Sequence, residues 1–472
     1  MTDARPPMLR RPLDVPLNRA RAALASWDGP AFLEGGPGLG PDGRWSILAA
    51  RPRRTIESHS GSGFRWSGGT FDMNSERDPL EGLATVAREY RLAQPEDFGD
   101  PDDGPFQGGL IGHLGYDLAP TLERLPRKAP RDSRLPALRF GLYDTFVLVD
   151  HEAGSADLCA VDILDEGPDS LRERLDRWVV GLGAPPPANA VRSTLSPAVP
   201  DTSRAEYLSA VRRTLDYIAA GDIFQANLSH RFVATGEFAP IDLYDRLRSA
   251  SPAPYAAYLA WDDCAILGSS PELFYRTAGD AILTRPIKGT RPRSLDPDED
   301  AALAAELVAS AKDRAELTMI IDLERNDLGR VCRYGSVRVA EPWRVESHAH
   351  VHHLVASVEG RLRADVGPVD VIRAVFPGGS ITGAPKIRAM EVIDELEPTR
   401  RSVYTGAVGY LGRGGRSAFN IAIRTILVEG DRASYQVGGG IVADSEPEAE
   451  YQETLHKARG MCRALEGLGG VG

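Results

Sequence analysis

The sequence predicts an α+β fold in which mainly antiparallel sheet is covered by helices on its outside. Short apolar runs alternate with turns containing Gly, Pro and Asp over residues 30–164, which is typical of β-structure. Apolar residues at helical spacing appear after residue 203, interspersed with further apolar runs of strand length. No alternation of strand and helix with a phosphate loop is present, so a doubly wound parallel sheet is not expected.

A proline-rich, nearly uncharged stretch divides the chain into two parts. We predict an N-terminal, mainly β region over residues 1–183 that packs with the rest, a linker over 184–202 and a C-terminal domain over 203–472. In the N-terminal region, the apolar runs 146–149 and 158–161 flank an acidic, glycine-containing turn. That arrangement predicts a β-hairpin.

The C-terminal region carries distinct helix signals. Ser203 and Glu206 form a capping box before apolar residues at helical spacing, which predicts a helix that ends near Gly221. Two more helical stretches are expected over 297–329, with a break near Ser310, and over about 447–465, with Ser445 as its cap. Apolar runs of strand type lie at 256–259, 281–283, 407–411, 421–428 and 434–437.

Composition excludes some classes of partner. The 472 residues carry a formal net charge of −12, which argues against nucleic acid or a membrane surface as partner, because both attract basic proteins. The four cysteines lie far apart, without the spacing of a metal site or a disulfide framework. No apolar stretch approaches the roughly 20 residues that cross a bilayer. We therefore expect a cytoplasmic protein.

Two predicted helices carry pairs of acidic residues three positions apart. Asp313 and Glu316 form one pair, Glu450 and Glu453 form the other, and Lys457 follows four positions later. Such spacings place side chains on one helix face. If the faces opposed each other across a cleft, the carboxylates would need a cation, and oxygen-only ligands suit Mg²⁺. Alternatively, both faces are solvated, with Glu453 and Lys457 as a surface ion pair.

Lys288 is a candidate nucleophile. It lies in the segment 284–290 (TRPIKGT), just after an apolar, strand-like run. A lysine that is held still and partly dehydrated there has a lowered pKa and a nucleophilic amine. The alternative is a solvated lysine at the end of a strand.

Glycines and one arginine are candidates for binding an anion. The stretch 377–386 and the residues Gly438, Gly439 and Gly440 can bring backbone N–H groups close to a carboxylate, or can form tight turns. Arg424 interrupts the apolar run 421–428. A charge in so apolar a strand needs a partner, and a guanidinium matches a carboxylate, unless it lies on the polar face of an edge strand.

Several segments, in order, resemble the chorismate-utilising enzymes. They are 222–228 (DIFQANL), 270–274 (SPELF), 284–290, 376–386 (FPGGSITGAPK), 439–445 (GGIVADS) and 450–454 (EYQET). The resemblance covers about 202–463 and is thinner in the N-terminal region. It implies two large, mainly antiparallel sheets packed as a sandwich, with helices outside.

The resemblance also implies roles for individual residues. A Mg²⁺ between the acidic faces would bind the ring carboxylate of chorismate, with Glu316 and Glu453 nearest the metal and Asp313 and Glu450 acting mostly through water. Catalytic positions are those of Lys288, of Glu272 as the acid that assists loss of the ring hydroxyl, and of His353. Substrate-binding positions are those of Thr290, Ser380, Tyr404, Arg424, Gly438, Gly439, Gly440 and Lys457.

Lys288 distinguishes the branches of this family. Anthranilate synthases usually carry alanine at this position, and isochorismate synthases use a lysine near the position of Gln225. The combination of Gln225 and Lys288 resembles the aminodeoxychorismate branch. It implies attack of Lys288 at ring carbon 2, loss of the carbon-4 hydroxyl and addition of ammonia at carbon 4, on the route to 4-aminobenzoate and folate. Ammonia would come from a separate glutamine amidotransferase subunit, and an anthranilate synthase component I is the alternative.

Overall fold

The computed structural model describes residues 8–59, 64–67, 78–92, 104–184, 194–348 and 351–466. The strands are β1 (Met8–Pro12), β2 (Ala31–Glu34), β3 (Trp45–Ala49), β4 (Arg54–Ser58), β5 (Phe64–Trp66), β6 (Gly109–Leu114), β7 (Leu138–Tyr143), β8 (Thr145–Asp150), β9 (Ser155–Val161), β10 (Thr194–Leu195), β11 (Val199–Pro200), β12 (Gln225–Glu237), β13 (Tyr255–Trp261), β14 (Cys264–Ser270), β15 (Leu273–Ala278), β16 (Ala281–Arg285), β17 (Ile287–Pro292), β18 (Arg338–Ser347), β19 (Val351–Arg361), β20 (Gly383–Ala384), β21 (Ala407–Gly412), β22 (Arg416–Ile421), β23 (Thr425–Glu429) and β24 (Arg432–Ile441). The helices are α1 (Leu17–Ala25), α2 (Pro79–Glu89), α3 (Pro168–Gly183), α4 (Arg204–Ala219), α5 (Pro240–Ala250), α6 (Pro297–Ala309), α7 (Ala311–Gly329), α8 (Pro368–Val375), α9 (Lys386–Leu396) and α10 (Pro447–Glu466).

The strands form two large antiparallel sheets, which confirms the predicted fold class. Within the residues that the structure describes, the first sheet has 13 strands, in the order β1-β9-β8-β3-β2-β13-β14-β23-β24-β12-β10, with β11 and β20 also paired to β12. The second has 11 strands, in the order β17-β19-β16-β15-β22-β21-β6-β7-β4-β5, with β18 also paired to β19. We call them the first and the second sheet below.

The N-terminal and C-terminal regions contribute strands to both sheets. In the first sheet β2 pairs with β13, and in the second β6 pairs with β21. Separating the two regions at about residue 200 would therefore break backbone hydrogen bonds between paired strands in each sheet. Residues 185–193 of the predicted linker lie outside the described residues, whereas β10 and β11, which follow them, pair with β12.

Local sequence signals account for the helix ends. Ser203 and Glu206 form the predicted capping box at the start of α4. Ser310 ends α6 and, through its side chain, caps the N-terminus of α7 by accepting a hydrogen bond from Asp313 N–H. The break in this helical stretch is therefore located where the sequence predicted it. The predicted hairpin is β8–β9, and the last helix is α10.

Apolar side chains are buried in three clusters. The largest includes residues from both sheets together with α2, α7 and α8. The second lies on the first sheet under α1, α3, α5 and α10, and the third joins α4 and α9 to β12. The helices thus cover the sandwich and do not interrupt it. Among the described helices, none is both long and apolar enough to cross a membrane.

Candidate active site

Two of the connections by which the chain passes from one sheet to the other lie side by side, and each carries a candidate site residue. Residues 271–272 connect β14 of the first sheet to β15 of the second, and residues 422–424 connect β22 of the second sheet back to β23 of the first. Ile421 N–H donates to Glu272 O at 3.0 Å, and Ser269 N–H donates to Arg424 O at 3.0 Å. The two crossings therefore hold each other in place.

Arg424 lies in the second crossing and not inside a strand. The apolar run 421–428, predicted as one strand, is divided between β22 and β23, and Arg424 has φ of 49°, in the left-handed region. Such a conformation is uncommon for a non-glycine residue and is often found at functional sites. The expectation of a single strand was wrong because hydrophobic periodicity does not reveal a change of sheet.

The Arg424 guanidinium has no carboxylate partner among the described side chains. Its one hydrogen-bond contact there is a long one, with Nη1 3.5 Å from Ser251 Oγ. Burial lowers the pKa of Arg424 from its ordinary value, since removing a charge from water disfavours the charged form. An anionic ligand at this position would supply the missing counter-charge.

Lys288 lies on β17, part-buried, with its amine directed at the turn around Ser380. Its Nζ donates to Ser380 O at 3.3 Å. Burial lowers the pKa of Lys288, and Lys457 lowers it further, while Glu316, Glu272 and Glu453 act in the opposite direction. The net shift is downward, which raises the fraction of neutral amine near neutral pH.

A bulge in β17 separates Lys288 from Thr290. Lys288 pairs with Leu354 and Thr290 pairs with His353, with a register shift at Gly289, whose φ is 72°. Only glycine fits there easily, because a Cβ on Gly289 would lie 2.9 Å from Asp313 Cγ. Bulges of this kind redirect side chains next to active sites.

Glu272 is the buried acid beside this lysine, at 5% exposure. Burial raises the pKa of Glu272, whereas a hydrogen bond from the Ser380 side chain, the charge of Lys288 and the Ile287 N–H lower it. The net effect is upward. Ser380 thus contacts both groups, Glu272 through its hydroxyl and Lys288 through its carbonyl oxygen, and a carboxyl of raised pKa is suited to donate a proton.

The two acidic helix faces, on α7 and α10, interact across the site. Burial raises the pKa of Glu316, and the negative charge of Glu453 on the opposite helix raises it further. Burial also raises the pKa of Glu450, which accepts a hydrogen bond from Ser445 at 2.6 Å. Asp313, the fourth acid, accepts a hydrogen bond from Arg291 at 3.2 Å.

Lysines offset part of this negative charge. Lys457 Nζ lies 2.7 Å from Glu453 Oε1, with the two side chains 46% and 53% exposed. Burial acts to raise the pKa of Glu453, but Lys457, Lys288 and Lys312 together outweigh it and the pKa falls. The surface ion pair that the sequence allowed as an alternative is therefore present. Lys312 adds positive charge next to Glu316, Glu450 and Glu453.

The chemistry of these donors fits Mg²⁺. Within the described ranges, no three His, Cys, Asp or Glu side chains converge closely enough to hold a metal ion as they stand. Mg²⁺ does not require such a cage, because it is commonly held by one or two carboxylates together with waters and substrate oxygens. Glu316 and Glu453, on opposite helices, supply oxygen-only donors of this kind.

The three glycines Gly438, Gly439 and Gly440 lie inside β24 and not in a turn. They pair with Ser229, Leu228 and Asn227 of β12. A Cβ on Gly438 would lie 2.4 Å from Leu228 O, and one on Gly439 would lie 3.1 Å from Glu450 Oε2. The missing side chains let the acids of α10 approach the strand directly.

One edge of this glycine stretch faces the site. Pairing of β23 with β24 ends at Tyr435, so among the described strands only β12 flanks residues 436–441. Lys457 Nζ donates to Gly438 O at 3.0 Å, on the edge away from β12. The N–H of a residue in an extended strand points to the same edge as its C=O. Backbone donors are thus available to a ligand there.

Tyr404 is positioned by a buried ion pair that the sequence did not indicate. Arg401 donates to Glu397 at 2.7 and 2.9 Å and to Ile381 O at 3.1 Å. Its guanidinium lies 5.8 Å from the centre of the Tyr404 ring. Burial raises the pKa of Tyr404 to about 12, so its hydroxyl stays protonated and can donate a hydrogen bond.

His353 is buried beside Thr290 and is held neutral. Its Nδ1 lies 3.0 Å from Thr290 Oγ1. Burial, Arg424 and His348 lower the pKa of His353 to about 3. At neutral pH it therefore acts as a hydrogen-bonding partner and not as a charged acid.

Gln225 is a further buried polar residue at the site. At 0% exposure, neither side-chain amide atom has a hydrogen-bond partner among the described residues. Its Nε2 would lie 3.1 Å from a Cβ on Gly440. The motif 222–228 drew attention to Gln225, but no sequence signal pointed to Arg401, because its partners lie in distant segments.

Comparison with known proteins shows the family. A family model for chorismate binding enzymes matches residues 39–463. Anthranilate synthase component 1 of Thermus thermophilus is 42% identical over 436 residues, and aminodeoxychorismate synthase component 1 of Bacillus subtilis is 41% identical over 427, each alignment covering 90% of both chains. The solved anthranilate synthase component I of Streptococcus pneumoniae matches with a TM-score of 0.76 at 34% identity, over 89% of this chain and 92% of that one.

Two branches of one family are thus represented at nearly equal identity. Overall identity does not separate them, whereas the family itself is shown by the match over most of the chain. The resemblance carried by the segments from 222 to 454 is confirmed. The chain belongs to the chorismate-binding enzymes.

Proposed function

We propose that this chain is component I of an aminodeoxychorismate synthase, which converts chorismate and ammonia into 4-amino-4-deoxychorismate and water. The observation that carries the proposal is Lys288, whose amine has a lowered pKa and lies against Ser380, beside the buried acid Glu272. A neutral lysine next to a protonated acid can perform nucleophilic substitution with acid assistance. Similarity to the Bacillus subtilis aminodeoxychorismate synthase component 1 supports the proposal.

In the first step, the neutral amine of Lys288 adds to ring carbon 2. Both conjugated double bonds of the ring shift, the bond between carbon 4 and its hydroxyl breaks, and Glu272 donates the proton with which the hydroxyl leaves as water. In the second step, ammonia adds at carbon 4, both double bonds shift back and Lys288 leaves carbon 2 as a neutral amine. The new ammonium group returns one proton to Glu272, which restores the starting state.

The binding groups complement a dianion. Arg424, Tyr404 and the glycine stretch of β24 would hold the enolpyruvyl carboxylate, since each offers hydrogen-bond donors to an anion and Arg424 has no carboxylate partner among the described residues. Lys457 would lie near the ring carboxylate, and Thr290 with neutral His353 would contact the ring. Donors that are already fixed in position stabilise the negative charge that moves within the substrate during the reaction.

A Mg²⁺ is proposed as cofactor. Glu316 and Glu453 would hold it, with Asp313 and Glu450 acting through water. When bound at the ring carboxylate, Mg²⁺ draws electron density from the conjugated ring and so favours addition at carbon 2.

Ammonia is proposed to come from a separate glutamine amidotransferase subunit. The relatives from Thermus thermophilus and Bacillus subtilis are each called component 1, which supports a second component. We further propose that the product serves 4-aminobenzoate and folate synthesis in the cytoplasm.

A second candidate function is that of an anthranilate synthase component I. It is favoured by the Thermus thermophilus relative, whose identity to this chain is as high as that of the aminodeoxychorismate synthases. In that reaction ammonia adds at carbon 2 directly, so a nucleophilic lysine beside the acid would have no covalent role.

The product formed from chorismate tests the proposal. The purified chain, supplied with chorismate, Mg²⁺ and an ammonium salt, is expected to form 4-amino-4-deoxychorismate, identified by chromatography and mass spectrometry. Addition of a chelator is expected to stop turnover. Fluorescent anthranilate as the main product would favour the second candidate function, and turnover that survives complete removal of divalent metal would contradict the role of Mg²⁺.

Replacement of Arg424 should separate substrate binding from stability. In Arg424→Met, KM for chorismate is expected to rise about 10- to 100-fold, the loss that accompanies removal of a hydrogen bond to a charged group. Tm should not fall, because the guanidinium has no carboxylate partner among the described residues. Arg338→Met, which removes an exposed arginine paired with Glu359, is the control. A lowered Tm with unchanged KM would mean that Arg424 is structural.

A further inference from the structure

Glu324 is a buried acid behind the active site that the reaction above does not use. It lies on α7 at 4% exposure. Its Oε2 is buried without a hydrogen-bond partner among the described residues. Leaving a buried polar atom unpaired is costly, and native structures retain such atoms where something else requires them.

The neighbouring ions do not satisfy Glu324. Lys386, whose charge lowers the pKa of Glu324, donates to Asp327 Oδ2 at 2.5 Å and to the carbonyl oxygens of Val375 and Pro377 at 3.2 and 2.9 Å. Lys386 and Asp327 therefore form a complete pair of their own. Glu324 lies next to that pair, with Glu272 as a further acid within electrostatic range.

Glu324 contacts the active site through one peptide group. Gly379 N–H hydrogen-bonds to its carboxyl, and a Cβ on Gly379 would lie 3.5 Å from Glu324 Oε1. The next residue is Ser380, whose carbonyl accepts from Lys288 and whose hydroxyl bonds to Glu272. Displacing the Gly379 peptide would thus move the contacts of both reacting groups.

We propose that Glu324 is a positioning residue: it holds the Gly379 peptide from behind and thereby fixes Ser380 against Lys288 and Glu272. The inference rests on the proposed function, since it acts through the two groups that perform that reaction. Glu324 itself touches no reacting atom.

The protonation state of Glu324 is consistent with this role. Burial, Asp327 and Glu272 raise its pKa to about 8, against the lowering effects of Lys386 and of the Gly379 N–H. The carboxyl is therefore protonated at neutral pH in the folded protein and ionised in the unfolded chain. Because the folded pKa is the higher one, this group makes the protein less stable as the pH rises from its ordinary value to about 8.

Three variants of the full chain test the proposal. Glu324→Gln keeps an acceptor for Gly379 N–H, Glu324→Met removes it at similar size, and Glu324→Asp keeps the acid but is too short to reach. We expect kcat for chorismate consumption to fall about tenfold in the Met and Asp variants and to stay near wild type in the Gln variant, with KM changed little. Asp322→Asn, on the exposed face of α7, is the matched control.

The thermal stability of the variants should not follow their activity. Above neutral pH, Glu324→Met and Glu324→Gln are expected to raise Tm, because neither leaves an ionisable carboxyl in the site, and the drop in Tm between acid and mildly alkaline pH should shrink. Wild-type kcat in the Met and Asp variants, or equal losses in the Met and Gln variants, would overturn the proposal. Should the Met variant not fold, the comparison of Asp with Gln decides in the same way.

A chemical readout separates this inference from the proposed function. Reductive methylation of Lys288, mapped by peptide mass spectrometry, is expected to change in the Met and Asp variants, while that of the surface residue Lys128 does not. That result does not depend on which product forms. Anthranilate from the wild-type chain would contradict the proposed function, whereas unchanged labelling and turnover in the variants would contradict the role of Glu324.

Discussion

Lys288→Ala is expected to reduce formation of 4-amino-4-deoxychorismate by roughly 10³-fold or more, a loss of about 4 kcal/mol of transition-state stabilisation. The physical reason is that the variant lacks the amine that adds to carbon 2. The covalent intermediate from which ammonia would expel the lysine then does not form. Chorismate binding in the presence of Mg²⁺, measured by calorimetry, should remain, because the charged binding groups Arg424 and Lys457 lie outside β17. Turnover is measured by product chromatography.

The same step gives a direct covalent signature. With chorismate and Mg²⁺ but no ammonia, the wild-type chain should accumulate an adduct on Lys288 with the mass of chorismate less one water. Peptide mapping locates it, and it should be absent from Lys288→Ala. Lys128→Ala, which removes a surface lysine paired with Glu395, should behave as wild type. Full turnover in Lys288→Ala would show that the lysine is structural.

Glu272→Gln is expected to lower kcat by about 10²- to 10⁴-fold, the usual contribution of a general acid. The glutamine retains the size of the side chain and can accept from Ser380, but it has no proton to give to the leaving hydroxyl. KM for chorismate should change much less than kcat. Glu359→Gln, at an exposed pair with Arg338, is the control.

The pH dependence of the reaction rate tests the role of Glu272 as the acid. Because burial raises its folded pKa, the acid form persists above the ordinary range of a carboxyl, and the rate should fall as pH rises through that raised pKa. Neutral Lys288, whose pKa is lowered, becomes available as pH rises, so the two groups together give a bell-shaped profile. In Glu272→Gln the limb that belongs to the acid should vanish. A profile identical in shape to wild type would assign the acid role to another residue.

Local signals predicted much of the fold correctly. The capping box at Ser203 and the cap at Ser310 act within one helical turn, so the residues that end each helix are visible in the chain itself. The acid pairs on α7 and α10 follow from helical spacing in the same way. Which of these faces would meet across a cleft was left open, because that depends on how distant elements pack.

Two local interpretations failed or stayed undecided for the same reason. Arg424 was assigned to a strand, but the chain changes sheet there, and an apolar run looks alike on either side of the change. The glycines 438–440 were compatible with a turn, yet they form a strand whose close neighbours are Glu450 and the backbone of β12. In both places the deciding contacts come from residues far away in sequence.

The sequence by itself determined the family and most local elements and supplied the candidate reacting residues, because motifs, caps and periodicity are properties of short segments. The tertiary structure alone decided which charges are satisfied. It pairs Lys386 with Asp327 and buries Arg401 on Glu397. Among the described residues it leaves Glu324 Oε2 without a hydrogen-bond partner and Arg424 without a carboxylate partner. The free energy of a buried charge depends on neighbours that only folding brings within a few ångströms.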